Sequence, residues 1–362
     1  MKKARIANRT AIIPTACLRA LAALTIAWAL FVTAGYAQAS KPGVKVSRIN
    51  TDHYPTIQCS VSAIDDTGKS LVGLTADSFS ILENDKPVTN VTLQSILPGK
   101  ERIAVILVLD RSGSMQGAPI TAAKKAAVDF VRRMSEKDVL SVVSFASRVD
   151  PSADLTVDRN KVLQAIETIH PRGETAFYDA IQQAVKRLAG YKADRKAVVA
   201  LTDGQDNASS ATAEGCATAA ADAGVPVYCI GLGRSLNSNA LQLLAKKSGG
   251  SCFLTTSPET LTDTYRKIAQ QIQNQYELTY TSPSPATTAS WRTVKISVHD
   301  KGGESSDLRQ YLVPIRNASG QVEQNNSSRG LMGVVIIGFL VIDGLLVLFV
   351  IRRKSHAKQV GK

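Results

Sequence analysis

The chain has 362 residues, of which 44% are hydrophobic and 20% charged, and its formal net charge is +13. This composition excludes a disordered, collagenous or disulfide-dense protein, and the length indicates about two domains. Most of the charge excess lies at the two ends, because residues 1–39 and 352–362 each carry five basic residues and no acid. Residues 40–330 carry 33 basic and 29 acidic residues, a balance that gives no reason to expect a nucleic-acid partner.

The N-terminus has the order of features that is typical of a secretory signal. Basic residues come first, an apolar stretch from Ala20 to Val32 follows, and Ala37-Gln-Ala39 precedes Ser40 as a small-x-small cleavage site. An uncleaved anchor is the alternative, but its apolar core would be too short to span a bilayer well. We therefore predict a signal peptide over residues 1–39.

A second apolar run, residues 331–351, has 21 residues and a single charge. That length suits a transmembrane helix, which needs about 20 residues. The basic tail 352–362 follows at once, which places it on the cytoplasmic side by the positive-inside rule. The polar residues 317–330 cannot bury a core and predict a flexible linker. The sequence thus predicts a single-pass cell-membrane protein whose body lies outside the cytoplasm, in the periplasm or at the cell surface.

The charge inside this run is Asp343, near the middle of the predicted span. Carboxylates at that depth are costly and usually face a partner or a protein interior. One interpretation is a protonated acid tolerated by a lone helix. The other is a contact with a second transmembrane helix, in a homo-oligomer or with a separate subunit. The sequence leaves both open.

The middle of the chain, residues 101–275, alternates short apolar runs with amphipathic segments. The apolar runs predict five strands: Ile103–Leu109, Val139–Phe145, Ala197–Leu201, Val225–Ile230 and Cys252–Thr255. The segments between and after them predict six helices: Ile120–Met134, Lys161–Ile169, Ala176–Leu188, Ala211–Ala223, Asn239–Lys247 and Pro258–Gln273. This alternation predicts a doubly wound, Rossmann-like α/β domain with a mostly parallel sheet, which binds ligands at the carboxyl ends of its strands.

Oxygen-bearing side chains follow these strand ends on three loops: Asp110, Ser112 and Ser114 after the first strand, Thr175 before the third helix, and Asp203 after the fourth strand. Two carboxylates and three hydroxyls would converge there, without sulfur or imidazole. Such hard donors suit Mg²⁺ or Mn²⁺. With only two carboxylates, a bound ion would remain open to an incoming anionic ligand.

At this point the sequence resembles the von Willebrand factor A domain family, including its bacterial secreted and membrane-anchored members. Asp110-x-Ser112-x-Ser114, Thr175 and Asp203 match every element of the metal-ion-dependent adhesion site of that family. The resemblance implies that these residues hold the ion, some through water, and that an acidic side chain of a partner completes its coordination.

Four further residues lie close to the predicted site in the sequence. Met115 and Glu174 are candidate contacts of a ligand at its rim, and Glu174 stands where relatives often have glycine. Asp179 and Asp206 are interpreted as capping or supporting residues rather than as ion ligands.

The flanks of this domain, residues 40–100 and 276–316, predict β structure. The strands predicted before it are Val44–Arg48, Thr56–Ala63, Asp77–Leu82 and Val88–Leu93, and those after it are Tyr276–Thr281, Val294–Val298 and Gln310–Ile315. Seven strands suggest one β-sandwich into which the α/β domain is inserted. Two independent small sheets are the alternative.

Four cysteines remain once the signal is removed: Cys59, Cys216, Cys229 and Cys252. An oxidising compartment would allow two disulfides, and Cys216 with Cys229 is one pair that the predicted geometry allows. Buried free thiols are the alternative, and the spacing is not that of a zinc site.

The sequence predicts a binding protein rather than an enzyme. It has no His-Glu-x-x-His and no Gly-x4-Gly-Lys loop, and Met115 stands where a nucleophile elbow needs serine. The leading hypothesis is capture of a protein ligand with an exposed Asp or Glu through Mg²⁺. The alternative is a scaffold subunit of a membrane complex in which the metal only stabilises the fold.

Overall fold

The computed structural model describes residues 43–96, 98–284, 290–300 and 303–313. The predicted signal peptide, the linker 317–330, the apolar run 331–351 with Asp343 and the tail 352–362 lie outside the described residues. Within the described ranges, no helix has both the length and the apolar character that crossing a membrane requires.

The described elements alternate between strands and helices only in the middle of the chain. The strands are β1 (Gly43–Asn50), β2 (Thr56–Ile64), β3 (Phe79–Glu83), β4 (Lys86–Pro87), β5 (Thr92–Ile96), β6 (Ile103–Asp110), β7 (Val139–Phe145), β8 (Val149–Thr156), β9 (Arg195–Thr202), β10 (Val227–Leu232), β11 (Cys252–Thr255), β12 (Gln275–Thr281), β13 (Ser290–Asp300) and β14 (Gly303–Val313). The helices are α1 (Ala118–Arg133), α2 (Arg159–Glu167), α3 (Phe177–Ala189), α4 (Ala213–Asp222), α5 (Ser238–Ser248) and α6 (Leu261–Gln273).

A six-stranded sheet in the order β11-β10-β9-β6-β7-β8 forms the centre of the α/β domain. Its first five strands are parallel, as predicted, and every residue of β6 and β7 is buried. Their continuous apolar sequences fit this position, because a strand covered by helices on both faces has no side that contacts water.

Strand β8 was not predicted. It pairs antiparallel with β7 at the edge of the sheet, and none of its residues is fully buried. Half of the residues in its sequence, VDPSADLT, are polar, and it contains a proline, which is tolerated at a sheet edge. The sheet is therefore mixed rather than wholly parallel.

The helices cover both faces of the central sheet and bury two apolar cores. Helices α1, α2 and α6 pack on one face, where the rings of Phe130 and Tyr265 meet edge to face with centroids 5.9 Å apart. Helices α3, α4 and α5 pack on the other, where Phe177 lies against Phe145 with ring centroids 5.7 Å apart. This packing fixes the strand ends from which the candidate site is built.

The flanking segments form two further four-stranded sheets, in the orders β1-β2-β12-β5 and β14-β13-β3-β4. Each sheet combines strands from before and after the α/β domain. The two sheets contact one another through Phe79 and Tyr276, whose ring centroids lie 5.6 Å apart. Within the described parts of the flanks the strands number eight rather than the predicted seven, because Lys86–Pro87 forms an additional short strand and the next strand begins only at Thr92.

By their internal contacts the described residues divide into two units: the first reaches residue 283 and resumes at 293–309, and the second holds residues 284, 290–292 and 310–313. The α/β domain and most of the flanking strands belong to the first unit. The second is described only at residues 284, 290–292 and 310–313, where Arg292 Nη1 donates to the carbonyl of Ser284 over 3.0 Å.

All four cysteines outside the predicted signal peptide are free thiols. Cys216 and Cys229 are buried and unbonded, so the structure shows the free-thiol alternative rather than this disulfide. Cys229 lies opposite Cys252 in the register of β10 and β11.

Candidate metal centre

The first loop of the candidate site begins where the buried strand β6 ends. Asp110 is its last residue and is fully buried, and its Oδ1 accepts a hydrogen bond from the backbone N–H of Ser112 over 2.7 Å. A single 3-10 turn, Gly113–Met115, then reverses the chain before α1. This tight turn places the hydroxyls of Ser112 and Ser114 within 3.1 Å of each other.

The second carboxylate comes from the loop after the neighbouring strand β9. Ser114 Oγ donates to Asp203 Oδ1 over 2.7 Å, and Thr202 Oγ1 donates to Asp110 Oδ2 over 2.6 Å. The ends of β6 and β9 are therefore joined by two short hydrogen bonds between side chains. Thr202 is a supporting residue that the sequence interpretation missed, although its position directly before Asp203 marks the end of the strand.

The third loop, residues 172–176, is tied to both of the others. The N–H of Gly113 donates to the carbonyl of Gly173 over 2.9 Å, which links it to the first loop. The N–H of Thr175 donates to Asn207 Oδ1 over 2.9 Å, which links it to the loop after β9. Thr175 is itself buried. The three loops that carry the predicted ligands thus meet at one edge of the sheet, and Asn207 is a second supporting residue not predicted from the sequence.

The electrostatics of the site favour a cation. Burial raises the pKa of Asp110 to about 6, against the opposing effect of its hydrogen bonds from Thr202 and Ser112, and the neighbouring charge of Asp203 raises it further. Burial likewise raises the pKa of Asp203 above its ordinary value. Two carboxylates held close together, of which Asp110 is buried and Asp203 is partly exposed, are destabilised as anions, and a bound cation would relieve this cost.

The chemistry of the donors also fits a hard divalent ion. Asp110 and Asp203 offer carboxylate oxygens, and Ser112, Ser114 and Thr175 offer hydroxyl oxygens. In the described part of the chain, no three His, Cys, Asp or Glu side chains group together as metal ligands. A cation at this edge would therefore depend on hydroxyls and water beside the two carboxylates, a set that Mg²⁺ and Mn²⁺ accept.

The structure corrects the prediction for Met115, which does not lie at the rim. Its side chain has 0% exposure and belongs to the core beneath the first loop. The reason is local, because the 3-10 turn directs the hydroxyl of Ser114 outward and the next side chain inward. Glu174 is exposed, as a rim residue requires, and its backbone N–H donates to Ser147 Oγ over 2.9 Å.

The two acids interpreted as capping residues do bind backbone N–H groups. Asp206 Oδ2 accepts from the N–H of Tyr178 in the first turn of α3 over 3.0 Å. Asp179 Oδ1 accepts from the N–H of Ala211 over 2.8 Å, which fixes the loop before α4. Both carboxylates thus stabilise the loops by accepting backbone N–H groups, as expected of capping residues.

The fold and the site together define a class of protein: a doubly wound α/β domain with acidic and hydroxyl side chains on three loops at the carboxyl edge of its sheet. Residues 104–267 match the family model of the von Willebrand factor type A domain. This part of the chain thus matches the domain family that the sequence resembles.

Two curated relatives and one solved structure illustrate the similarity. An uncharacterized protein of Synechocystis sp. is 31% identical over 172 residues, which cover 46% of this chain and 41% of that protein. Inter-alpha-trypsin inhibitor heavy chain H3 of Mus musculus is 25% identical over 167 residues, 40% of this chain and 18% of that protein. Proximal thread matrix protein 1 from the mussel byssus, with a zinc-occupied MIDAS motif, is 22% identical with a TM-score of 0.47, covering 52% of this chain and 50% of that one. The chain thus spans less than half the length of these two curated relatives.

Proposed function

We propose that this chain is a membrane-anchored binding protein that captures a protein ligand outside the cytoplasm through a divalent cation, Mg²⁺ or Mn²⁺. Asp110, Ser112, Ser114, Thr175 and Asp203 would hold the ion, and a carboxylate of the partner would complete its coordination. When bound, the ion supplies a positive centre that attracts this carboxylate. The family of the domain supports the proposal, because von Willebrand factor type A domains commonly mediate protein–protein interactions.

The main support for this proposal is the pair of side-chain hydrogen bonds between the ends of β6 and β9. Asp110 is oriented there by Thr202, and Asp203 is oriented by Ser114, over 2.6 and 2.7 Å respectively. Asp110 is buried, whereas Ser114 is exposed, so the site reaches solvent at Ser114. A partner could approach through this exposed part of the site.

Calorimetric titration of the full chain with Mg²⁺ tests the first step. The wild type should bind one ion, and Asp110→Ala should abolish binding because the remaining donors include a single carboxylate. Asp66→Ala, which removes an exposed acid on a turn of the flanking sheet, is the control and should bind as the wild type does. Equal Mg²⁺ binding by Asp110→Ala would contradict the proposed site.

Partner capture tests the second step. Proteins from the extracytoplasmic fraction of the source cells would be enriched on the wild type and on Asp110→Ala, each with Mg²⁺ and with EDTA. We expect specific partners only on the wild type with Mg²⁺. Capture that survives both the substitution and EDTA, together with a loss of thermal stability in EDTA, would favour the alternative of a scaffold subunit with a structural ion.

Anchoring by residues 331–351 and the role of Asp343 belong to the same proposal. An Asp343→Leu variant extracted in detergent should be smaller than the wild type by light scattering if this acid contacts a second transmembrane helix. An unchanged size would favour a lone helix.

Membrane anchoring is tested separately from the role of Asp343. Fractionation of the cells should place the full chain in the membrane, whereas a variant that ends at residue 330 should be released.

A further inference from the structure

Three arginines, Arg148, Arg172 and Arg234, lie on three separate loops around the candidate metal centre, and all three are exposed. We call them the arginine rim. Arg148 lies in the turn between β7 and β8, Arg172 lies two residues before Glu174, and Arg234 lies two residues after the end of β10. Packing within the fold does not account for them, because all three side chains are exposed to solvent.

Backbone contacts hold two of these residues next to the site loops. The N–H of Arg172 donates to the carbonyl of Arg111 over 2.7 Å, one residue after Asp110. The carbonyl of Arg148 accepts from the N–H of Ala146 over 3.1 Å, and the carbonyl of Ala146 accepts in turn from the N–H of Ala176, beside Thr175.

Arg234 reaches the same edge from the other side. Its neighbour Gly233 lies beside the loop after β9: a Cβ built on Gly233 would be 3.8 Å from the carbonyl oxygen of Asp203. The N–H of Gly233 also donates to the carbonyl of Thr255 over 2.7 Å, which fixes the start of this loop at the end of β11. The loops that carry Arg148 and Arg234 therefore follow β7 and β10, which lie on opposite sides of β6 and β9 in the sheet, so the arginines flank the site from both sides.

The guanidinium groups of the arginine rim have no partners within the described part of the chain. Among the described residues, none of the three has an ion pair or a hydrogen bond from its side chain. Arg111 in the same region is different, because it is buried, donates to Ser144 Oγ over 3.2 Å and lies 3.7 Å from Asp150.

The acidic side chains of this region do not neutralise the positive charge of the arginine rim. Asp150 faces Arg111, and Asp179 and Asp206 accept backbone N–H groups. Glu174 is the exposed acid that remains on the third loop. Around a cation site, an excess of free guanidinium groups attracts negative charge from a distance and repels basic partners.

We propose, on the basis of the function proposed above, that the partner docks through an acidic polypeptide segment rather than through an isolated acidic residue. One carboxylate of that segment would reach the ion, and neighbouring carboxylates would pair with the arginine rim. The planar guanidinium group fits a carboxylate through two parallel hydrogen bonds. Because these pairs are exposed, each contributes modestly, and together they act mainly on the rate of association.

Two synthetic peptides of equal length serve as probes for the full chain in detergent with Mg²⁺. Both have a Gly/Ser backbone and a central Glu, and one of them carries two further Glu residues on each side. Binding rates and affinities would be measured at low and at high salt. The test variant is Arg148→Gln/Arg172→Gln/Arg234→Gln, and the control is Lys125→Gln/Arg132→Gln/Lys161→Gln, which removes the same charge from exposed positions on α1 and α2.

We expect the wild type and the control to bind the multi-acid peptide at least tenfold more tightly than the single-acid peptide. The triple substitution in the arginine rim should lose roughly tenfold in affinity for the multi-acid peptide, mostly as slower association, and high salt should reproduce this loss. Its affinity for the single-acid peptide should change little, which shows that the fold and the ion remain.

Equal binding of the multi-acid peptide by the rim variant and the control would overturn the proposal, as would no binding of that peptide by the wild type. Tighter binding of a phosphorylated peptide or an oligonucleotide of the same charge would also overturn it, because the partner would then be of another class. A different result would show that the proposed ion-dependent function is wrong. In that case binding of the multi-acid peptide would depend on the arginine rim but would survive both EDTA and Asp110→Ala.

Discussion

Thr202 Oγ1 donates a hydrogen bond to Asp110 Oδ2 over 2.6 Å, and both side chains are buried. This contact joins the last residues of two neighbouring parallel strands, which places a donor beneath the carboxylate at the candidate metal centre. A buried carboxylate that is oriented in this way loses less mobility when it binds an ion. Groups that orient a metal ligand commonly contribute to affinity although they do not touch the metal.

We therefore expect Thr202→Val to weaken Mg²⁺ binding by about 10- to 100-fold, the range typical of such orienting groups. The valine keeps the shape of the side chain but leaves Asp110 Oδ2 without this donor. Thr202→Ser, which retains a hydroxyl, should bind nearly as the wild type does. Calorimetric titration measures both variants, and an unchanged affinity of Thr202→Val would contradict the orienting role.

The raised pKa of Asp110 predicts how the metal-free protein responds to pH. Burial raises this pKa from 3.8 to about 6, so between these values the folded state binds more protons than the unfolded state. The contribution of Asp110 to the free energy of unfolding is therefore most favourable below pH 3.8 and is lost as the pH rises through 6. Above that range the ionised, metal-free carboxylate lowers stability by about 3 kcal/mol.

Asp110→Asn should accordingly stabilise the metal-free protein near neutral pH, by up to about 3 kcal/mol, and flatten the pH dependence of unfolding between pH 4 and 6. The amide can accept from Ser112 N–H and donate to Thr202 Oγ1, so the local hydrogen bonds are kept. Urea unfolding in EDTA at several pH values measures this. Added Mg²⁺ should stabilise the wild type and leave Asp110→Asn unchanged, and equal stabilities in EDTA would refute the burial argument.

The α/β domain could be predicted from the sequence because its strands are apolar throughout and its helices are amphipathic. The five site residues could be predicted for the same reason, since each follows a strand or precedes a helix whose end is visible in the pattern. Strand β8 alternates apolar and polar residues, but two of its four apolar positions are Pro151 and Ala153, which favour strands poorly, so the pattern did not stand out. Met115 was assigned wrongly because spacing alone does not show which way a 3-10 turn directs a side chain.

Long-range polar contacts were beyond the reach of the sequence. Gln271 on α6 is fully buried, and its Nε2 donates to the carbonyl of Gly68 over 2.6 Å although the two residues are 203 positions apart. Its Oε1 accepts from Ser251 Oγ over 2.9 Å. Nothing in the helical pattern distinguishes this buried glutamine from an exposed one. The hydrogen bond between the last helix and the turn after β2 is therefore visible only in the structure.

The conformation of Gly173 leads to a prediction about the third loop. Its φ is +77°, and a Cβ there would lie 2.7 Å from Ser147 Oγ, the atom that accepts the N–H of Glu174. We expect Gly173→Ala to cost about 1–3 kcal/mol in stability, from the left-handed backbone and the displaced hydroxyl together. It should also weaken Mg²⁺ binding, because the carbonyl of Gly173 accepts from Gly113 in the first loop.

Gly190→Ala is the matched control for this substitution. Gly190 has a φ of −80° at the end of α3, and a Cβ there would meet nothing within 4 Å. Its replacement should change stability by less than about 0.5 kcal/mol. Urea unfolding of both variants makes the comparison, and equal effects of the two substitutions would show that the backbone of Gly173 is not under this constraint.

The free thiols give a prediction that is independent of the metal. Cys252 is partly exposed at the edge strand β11, whereas Cys59, Cys216 and Cys229 are buried. Burial raises the pKa of Cys252 and of Cys216 to about 11, and it raises the pKa of Cys229 well above the ordinary value. Because alkylation needs both access and the thiolate, all four should react slowly in the folded protein, and Cys252 should react first.

Timed treatment of the native full chain with iodoacetamide, followed by mass spectrometry of the peptides, gives the order of modification. Cys252→Ser should remove the earliest modification and leave the slower ones, which should appear together when urea unfolds the domain. Modification of Cys59 or Cys229 before Cys252 in the native protein would mean that the flanking sheet with β2 or the central sheet opens more readily than its packing indicates. A peptide joined through Cys216 and Cys229 would likewise contradict the free-thiol arrangement.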